Sequence, residues 1–319
     1  MNTPKILVAD KIAAEGVAVF RAAGLDVDVR TGMSADELAA AIGAYDGMVV
    51  RSASQARGDA FWAAAKQLKV IGRAGAGVDN IDVPAATANG TLVMNTPGGN
   101  NNAVAELVLG MMLAMGRHLV AADTTMKAGR WEKAALMGEE IEGKTLGVIG
   151  LGAIGQIVAR KAGALGMKVI AYDPVTSAEA AAAVGATLHD LDTVLADSDV
   201  LTIHVPLIAQ TRGLIGADAL AKTRKGAWLI DCARGGILDE AALLAALESG
   251  QIGCAALDVF ATEPVPAGDA LVAHPKILAT PHIGASTRQA QDKVGVQIAE
   301  QMVAYLQSGT IQFAVNTLA

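Results

Sequence analysis

LGVIGLGAIGQIVARKAGALGMKVIAYD, Leu146 to Asp173, begins as an apolar strand (Leu146 to Ile149) and enters the turn Gly150-Leu151-Gly152-Ala153-Ile154-Gly155. An amphipathic segment follows from Gln156 to Leu165, then a second apolar run, Lys168 to Tyr172, that ends on Asp173. The three glycines of that turn have separate tasks. Gly150 permits the tight turn, Gly152 lets backbone approach a pyrophosphate, and Gly155 lets the helix sit close to the sheet. The first N–H groups of a helix lack internal partners, so phosphates are favoured at its positive end. A glycine turn alone is a common strand-to-helix connection. With a strand before it, a helix after it and an acid about 20 residues on, the stretch reads as a dinucleotide site. A carboxylate at Asp173 accepts hydrogen bonds from ribose hydroxyls and repels a 2′-phosphate. Pro174-Val175-Thr176-Ser177 supplies no Arg or Lys to hold such a phosphate, so NAD is expected over NADP.

Outward from this unit, the 319 residues suggest two domains, and 52% hydrophobic content is enough for two cores. Aromatics make up 3% and there are 35 glycines, a balance that suits parallel sheets covered by helices on both faces. The formal net charge is −7 with no basic cluster, which argues against a nucleic-acid partner. The two cysteines, Cys232 and Cys254, form neither a CxxC pair nor a disulfide framework, so reduced thiols in a cytoplasmic protein are expected. The opening MNTPKILVAD has no signal-peptide core. Leu107 to Met115 is far short of the roughly 20 apolar residues that span a bilayer, so it reads as a buried helix and no membrane is expected. The histidines form no HxxxH-type pair, and no metal is expected.

From Lys5 the pattern alternates. Strands are expected at Ile6 to Ala9, Leu25 to Val29, Gly47 to Arg51, Lys69 to Arg73 and Leu92 to Asn95. Helices are expected around Ala13 to Ala23, Ser34 to Ile42, Asp59 to Ala65 and Val83 to Ala88. Such alternation predicts a doubly wound parallel sheet, with ligands beyond the carboxyl ends of its strands. Two strand ends carry chemistry: Arg51-Ser52-Ala53-Ser54, and Arg73 through Gly77 to Asp79. Thr96-Pro97-Gly98-Gly99 breaks the pattern as a hinge, and a long helical stretch then begins among Asn100 to Asn102 and could run to about Lys127. Trp131, in the irregular segment after it, is either core or a contact to a partner subunit. Further strands are expected at Asp199 to His204, Gly226 to Asp231, Ala255 to Val259 and Ile277 to Ala279, and a last helix at Thr287 to Leu306. Two such units stand either in series or with the last helix returning to the first. The return is the more economical, because no strand follows that helix.

Hydride transfer to a nicotinamide needs a proton acceptor and a cation for an anionic substrate. Arg234 follows a strand, and its guanidinium can hold a carboxylate bidentately. His282 follows another, and imidazole exchanges protons near neutral pH. Glu263 lies between them and can pair with one ring nitrogen. An Arg after a strand is equally read as a surface ion pair, and an isolated His as a structural residue, so spacing leaves both readings open. Cys232 beside Arg234 reads as a buried strand-end thiol rather than a nucleophile.

Six motifs together, GRAGAGVDNID (72–82), VMNTPGGNN (93–101), GKTLGVIGLGAIG (143–155), DCARGGILDE (231–240), AALDVFATEP (255–264) and PHIGAST (281–287), closely resemble those of the D-isomer-specific 2-hydroxyacid dehydrogenases. Within that family they are most similar to the D-3-phosphoglycerate dehydrogenases, over nearly the whole chain. The resemblance implies an α/β fold of two Rossmann-like doubly wound domains. A substrate-binding domain of residues 1–97 and 284–319, discontinuous in sequence, would accompany an NAD-binding domain of 98–283 and a homodimer built on the latter. It implies that Arg234, Glu263 and His282 are catalytic: His282 takes the hydroxyl proton, Glu263 stabilises the imidazolium, and Arg234 binds the carboxylate and polarises the C2 oxygen. NAD would be held by Gly150, Gly152, Ala153, Ile154, Gly155, Asp173, Pro174, His204, Val205, Pro206, Thr211, Cys232, Ala233, Asp258, His282 and Gly284, with Asp258 positioning the nicotinamide amide.

On the substrate side the resemblance implies Arg51, Ser52, Arg73, Ala76, Gly77, Val78 and Asn100. Backbone at Ala76 to Val78 would hold the carboxylate, and Arg51, Arg73 and Asn100 match the phosphate-binding side. Two guanidiniums suit a dianionic phosphate; alternatively they pair with nearby acids. The expected reaction is oxidation of D-3-phosphoglycerate to 3-phosphohydroxypyruvate at the entry to serine synthesis. Reduction of glyoxylate, hydroxypyruvate or another D-2-hydroxyacid's keto form is the competing assignment, and an NAD-sensing corepressor the more distant one. Two departures stand out. Many relatives carry a basic residue where this chain has Ala153, which predicts weaker NAD binding. Others continue into regulatory domains where this chain ends at Ala319, so serine feedback through such a domain is expected to be absent.

Overall fold

Short apolar strands alternate with helices from Lys5 onward, and all of the strand pairs in the two sheets are parallel. The computed structural model describes residues 3–318. Met1, Asn2 and Ala319, which the expected first domain includes, lie outside the described residues. The chain divides into two compact units, one from the described parts of Met1–Asn100 and Ala285–Ala319, the other Asn101–Gly284.

In the first unit come β1 (Lys5–Val8), α1 (Ala14–Ala22), β2 (Asp26–Val29), α2 (Ala35–Ile42), β3 (Gly47–Val50), α3 (Asp59–Ala64), β4 (Val70–Arg73), α4 (Val83–Ala88) and β5 (Leu92–Met94). The strands lie in the order β2-β1-β3-β4-β5. β1 and β3 are buried on both faces, which is why they read as continuous apolar runs. α2 begins where the sequence supplies a capping box. Ser34 accepts from the Glu37 N–H and the Glu37 carboxylate accepts from the Ser34 N–H, so the exposed first turn is satisfied reciprocally.

The second unit contains α5 (Asn101–Gly116), α6 (Leu119–Lys127), β6 (Thr145–Ile149), α7 (Ala153–Ala164), β7 (Lys168–Tyr172), α8 (Ala178–Ala182), β8 (Ala186–Leu188), α9 (Leu191–Asp197) and β9 (Val200–Ile203). It continues with α10 (Ala217–Ala221), β10 (Ala227–Asp231), α11 (Glu240–Ser249), β11 (Ile252–Leu257) and β12 (Ile277–Ala279). The sheet order is β12-β11-β10-β9-β6-β7-β8. The last helix, α12 (Arg288–Ser308), returns to the first unit and packs on α1, β4 and β5. Glycines let it approach closely: a Cβ on Gly16 would stand 2.5 Å from the Gly295 carbonyl oxygen. Two units, each with a doubly wound sheet and the first discontinuous in sequence, are therefore the architecture.

Strand order reverses between β1 and β3 in the first sheet and between β6 and β9 in the second. Such switch points open a crevice at the carboxyl ends of the strands, where ligands bind.

Three expectations are corrected. The helical stretch to Lys127 is broken: α5 ends at Gly116, His118 takes the left-handed conformation with φ 51°, and α6 leaves at 64°. The Gly116 carbonyl accepts from the Glu139 N–H at 2.8 Å, and Gly116 packs against the Trp228 ring, leaving no room for a side chain. α7 begins at Ala153 rather than Gln156, inside the glycine turn. β11 starts at Ile252 and ends before Asp258, whose side chain leaves the ladder for other partners. Among the described residues no single helix is long and apolar enough to cross a membrane; α5 is largely buried.

Candidate active site

At the β6–β9 switch point the glycine turn and the segment after β9 touch. A Cβ on Gly150, whose φ is +96°, would lie 2.8 Å from the His204 carbonyl carbon. A Cβ on Gly155 would lie 2.1 Å from the Gly150 carbonyl oxygen, so the helix can start only because that residue has none. Around Gly152, in contrast, a Cβ would meet nothing within 4 Å. That open side, with the N–H groups of Ala153, Ile154 and Gly155 in the first turn of a 12-residue helix, fits a pyrophosphate.

Asp173 ends β7 and accepts from the N–H groups of Leu151, Val175 and Thr176 at 2.7–2.9 Å. Burial pushes this carboxyl up, but those backbone donors outweigh it and hold it below the ordinary value, so it is ionised at neutral pH. The sequence marked Asp173 for ribose; the structure adds that it ties the glycine turn to the loop after β7. His204 follows β9 with Nε2 2.9 Å from the Thr202 hydroxyl, and burial lowers it to about 4, so the ring is neutral. Thr211 spends its hydroxyl on its own loop, accepting from Ile208 N–H and donating to the Pro206 carbonyl. Val205 is half-buried, and Pro174 lies exposed beside Asp173.

β10, β11 and β12 are neighbours in register, with Asp231 beside Leu257 and Leu257 beside Ala279. Their carboxyl ends bring Cys232, Ala233 and Arg234, then Asp258 to Glu263, then Thr280 to Gly284, to one edge. The His282 Nδ1 lies 2.7 Å from Glu263 Oε2, and Glu263 Oε1 accepts from the Phe260 N–H at 3.0 Å. A carboxylate only accepts, so Nδ1 carries the proton and Nε2 presents a lone pair. His282 has φ 51°, a left-handed conformation that stores roughly 1–3 kcal/mol and needs its surroundings to hold it.

Asp258, 1% exposed, is what holds it. Its Oδ1 accepts from the Thr280 hydroxyl at 2.5 Å and from the Ile283 N–H at 2.7 Å, while Oδ2 accepts from the Gly284 N–H at 2.7 Å. The residue implied to orient a nicotinamide thus clamps both sides of His282. Arg234 donates from Nη1 to the Ala233 carbonyl at 2.7 Å. Its turn lies against β11's exit because Gly235 lacks a side chain: a Cβ there would be 1.9 Å from the Phe260 carbonyl oxygen. Beside Arg234, burial pushes the Asp231 carboxyl up to about 7, against the Ala233 N–H and the Arg234 charge. Cys232 is buried with its sulfur 3.7 Å from that of Met111, and burial raises the thiol well above its usual range, leaving it protonated. Sequence spacing did not reveal the roles of Asp231 or Phe260, because a buried acid and a backbone donor leave no pattern.

In the first unit, Arg51 and Ser52 follow β3 and Arg73 ends β4, with Val50 and Arg73 paired. Arg51 lies at the β1–β3 switch point. Its Nε is buried with no hydrogen-bond partner among the described residues, and one Nη1–H reaches the Lys11 carbonyl at 3.4 Å. The neighbouring acid, Asp10, turns its oxygens to the Arg51 and Ser54 N–H groups and the Ser54 hydroxyl rather than to the guanidinium. Arg73 donates to the Ala74 carbonyl at 2.9 Å. The Ala76 carbonyl accepts from Asn95 Nδ2 at 2.6 Å, which steadies the turn through Gly77 and Val78, and the Asn100 Oδ1 is buried without a hydrogen-bond partner among the described residues.

Residues 109–284 match the family model described as D-isomer specific 2-hydroxyacid dehydrogenase, NAD binding domain. The chain is 47% identical over 312 residues to a D-3-phosphoglycerate dehydrogenase of Archaeoglobus fulgidus, covering 98% of this chain and 59% of that protein. It therefore spans less than two thirds of that relative's length. Among solved structures it is similar to a glyoxylate reductase from Paecilomyes thermophila, 30% identical with a TM-score of 0.88 and 99% of each chain covered. It is also similar to the NAD+-bound 3-phosphoglycerate dehydrogenase in Entamoeba histolytica, 29% identical with a TM-score of 0.83 and 100% of each chain covered. On the glycine turn, the strand-end residues and this match over more than half its length, the chain belongs to the D-isomer-specific 2-hydroxyacid dehydrogenase family.

Proposed function

We propose that the protein oxidises D-3-phosphoglycerate to 3-phosphohydroxypyruvate with NAD, as a cytoplasmic enzyme of serine synthesis. The observation that carries the chemistry is the His282–Glu263 pair at 2.7 Å, pinned at the ends of adjacent strands of the NAD-binding sheet. The first turn of α7 and Asp173 would hold the cofactor, which when bound accepts the hydride from C2. Nε2 of His282 takes the C2 hydroxyl proton. Glu263, anchored by the Phe260 N–H, faces the imidazolium so formed and keeps the ring in one orientation. Arg234 binds the substrate carboxylate and polarises the C2 oxygen. In the reducing direction the same nitrogen returns the proton.

The 47% identity to a phosphoglycerate dehydrogenase supports the phosphorylated substrate. So does Arg51, since an orphaned buried N–H costs about 1–3 kcal/mol and an anionic oxygen would satisfy it. We assign the first unit to substrate binding on that basis, with Arg51, Arg73 and Asn100 toward the phosphate and backbone at Ala76 to Val78 toward the carboxylate. The second reading, reduction of glyoxylate or hydroxypyruvate, is favoured by the likeness to a glyoxylate reductase at TM-score 0.88. The test is an assay of NADH formation from D-3-phosphoglycerate with the keto product trapped, beside NADH oxidation with hydroxypyruvate and glyoxylate. Preference for the phosphorylated acid, reduced at least tenfold in kcat/KM by Arg51→Ala or Arg73→Ala, is expected. Preference for the small keto acids, indifferent to both substitutions, gives the second reading instead.

The working form is a homodimer through the NAD-binding unit. Trp131 is 79% and Met137 82% exposed, and Leu119, Val120 and Met126 are exposed on the same segment. Solvated aromatic and aliphatic side chains so concentrated mark a protein contact. Exposure removes the core reading of Trp131. Trp131→Glu combined with Met137→Glu is expected to halve the mass found by light scattering; a monomeric parent, or a double variant that stays dimeric, refutes the assignment.

A further inference from the structure

The turn that carries Arg51 is held at both ends by two buried polar side chains to which no role has been given. Asp10, 5% exposed, stands just past β1, and its Oδ2 accepts from the Arg51 N–H at 2.6 Å. The Ser54 N–H lies 3.1 Å from both carboxylate oxygens, and the Ser54 hydroxyl donates to Oδ1 at 2.7 Å. Asn80, 7% exposed, answers from the other side of the turn. Its Nδ2 donates to the Arg51 carbonyl at 2.8 Å and to the Ser54 carbonyl at 2.6 Å. Asn80 is in turn fixed through its own main chain, whose carbonyl accepts from the Ala56 N–H at 3.0 Å. The main-chain N–H groups of residues 51 and 54 therefore go to one side chain and their carbonyls to the other.

We propose that Asp10 and Asn80 are positioning residues for substrate binding: together they fix the Arg51–Ser54 turn at the β1–β3 switch point so that the Arg51 guanidinium is pre-aimed at the anionic end of the substrate. This rests on the reading of Arg51 as an anion ligand. The chemistry of the pair supports it. A carboxylate is acceptor-only and takes several N–H and O–H bonds at once, whereas an amide NH2 supplies two donors from one atom, so each type matches its half of the turn. A single short loop with both ends bonded by buried side chains loses little freedom when a ligand arrives, and preorganisation of that kind raises affinity without touching the reacting atoms. The Asp10 charge also partly offsets the burial that disfavours a charged Arg51.

The test compares Asp10→Asn, Asn80→Ala and the milder Ser54→Ala with Arg51→Ala, measuring kcat and KM for D-3-phosphoglycerate and for hydroxypyruvate, NAD affinity by fluorescence titration, and thermal melting. Asp10→Asn and Asn80→Ala are expected to raise KM for the phosphorylated acid about tenfold, which corresponds to ~1.4 kcal/mol. The kcat should stay within a factor of about two and NAD affinity should not move. Ser54→Ala, which keeps both ends of the clamp, should raise KM about twofold. Made on top of Arg51→Ala, Asp10→Asn should add little, because the residue it positions is gone.

If Arg51→Ala itself leaves KM unchanged for both substrates, the anion-ligand reading fails and this proposal with it. If Arg51→Ala raises KM while folded Asp10→Asn and Asn80→Ala do not, the positioning role alone is overturned. Effects that add in full on the Arg51→Ala background, or that fall on kcat and NAD affinity, also overturn it. Should Asp10→Asn not fold, Asn80→Ala and Ser54→Ala decide the question by the same KM criterion.

Discussion

His282→Ala is expected to lower kcat by 10²–10⁴-fold while leaving NAD affinity within about twofold, because it removes the proton acceptor and nothing that binds the cofactor's phosphates or ribose. In barrier terms that is about 3–5 kcal/mol. The ring is half exposed and contributes no core packing, so the melting temperature should hardly change. The left-handed backbone at His282, at φ 51°, gives a second check. Ala tolerates that conformation no better than His does, whereas His282→Gly should relieve it and melt slightly higher with the same loss of rate. Stopped-flow kinetics on both variants separate the chemical step from release. Full activity in either would remove His282 from the mechanism and leave Glu263 without a purpose.

Asp258→Ala is expected to be the most destabilising single change at this site. Three donors, the Thr280 hydroxyl and the Ile283 and Gly284 N–H groups, converge on a carboxylate that is 1% exposed. Leaving buried donors without acceptors costs about 1–3 kcal/mol each, so a loss of roughly 3 kcal/mol or more is expected even if some reach water. In a domain of this size each kcal/mol shifts melting by about 2–4 °C, which predicts a fall of roughly 5–10 °C. The same segment carries His282, so kcat should fall at least tenfold. Asp258→Asn keeps the shape and two acceptor positions but sets an NH2 against an N–H donor, and should fall between the parent and Asp258→Ala. A melt and a rate both indistinguishable from the parent would show that the 280–284 segment holds its shape without this carboxylate.

Both effects rest on partners that are far apart in sequence, and there the reach of one-dimensional reading ends. Residues 146–173 were legible because their physics is local. A turn between strand and helix needs glycine at Gly150, whose φ is +96°, and at Gly155, where a Cβ would strike the Gly150 carbonyl five residues back; the clash of a Gly150 Cβ with the His204 carbonyl is the one part that only the folded sheet supplies. Strand alternation was legible for a similar reason, since strands buried on both faces have to be apolar throughout. The extent of α5 was not legible. Its composition favours helix beyond Gly116, but the Glu139 N–H and the Trp228 ring, brought in from elsewhere, end it. Tertiary contact overrides propensity when a carbonyl is offered a partner outside its helix.

The strand-end residues divide in the same way. Their types and their places after apolar runs could be read directly, and motif order supplied their roles. That Glu263 meets Nδ1 of His282, that Asp258 spends its oxygens on the Thr280 hydroxyl and two main-chain N–H groups rather than lying open, and that Asp10 and Asn80 grip one turn from opposite sides all depend on strand order. β10, β11 and β12 lie side by side, and β1 lies beside β3 because the chain reverses there. A hydrogen bond between residues 10 and 51 leaves no periodicity in sequence. Such a bond exists only once the sheet has fixed which strand ends are neighbours.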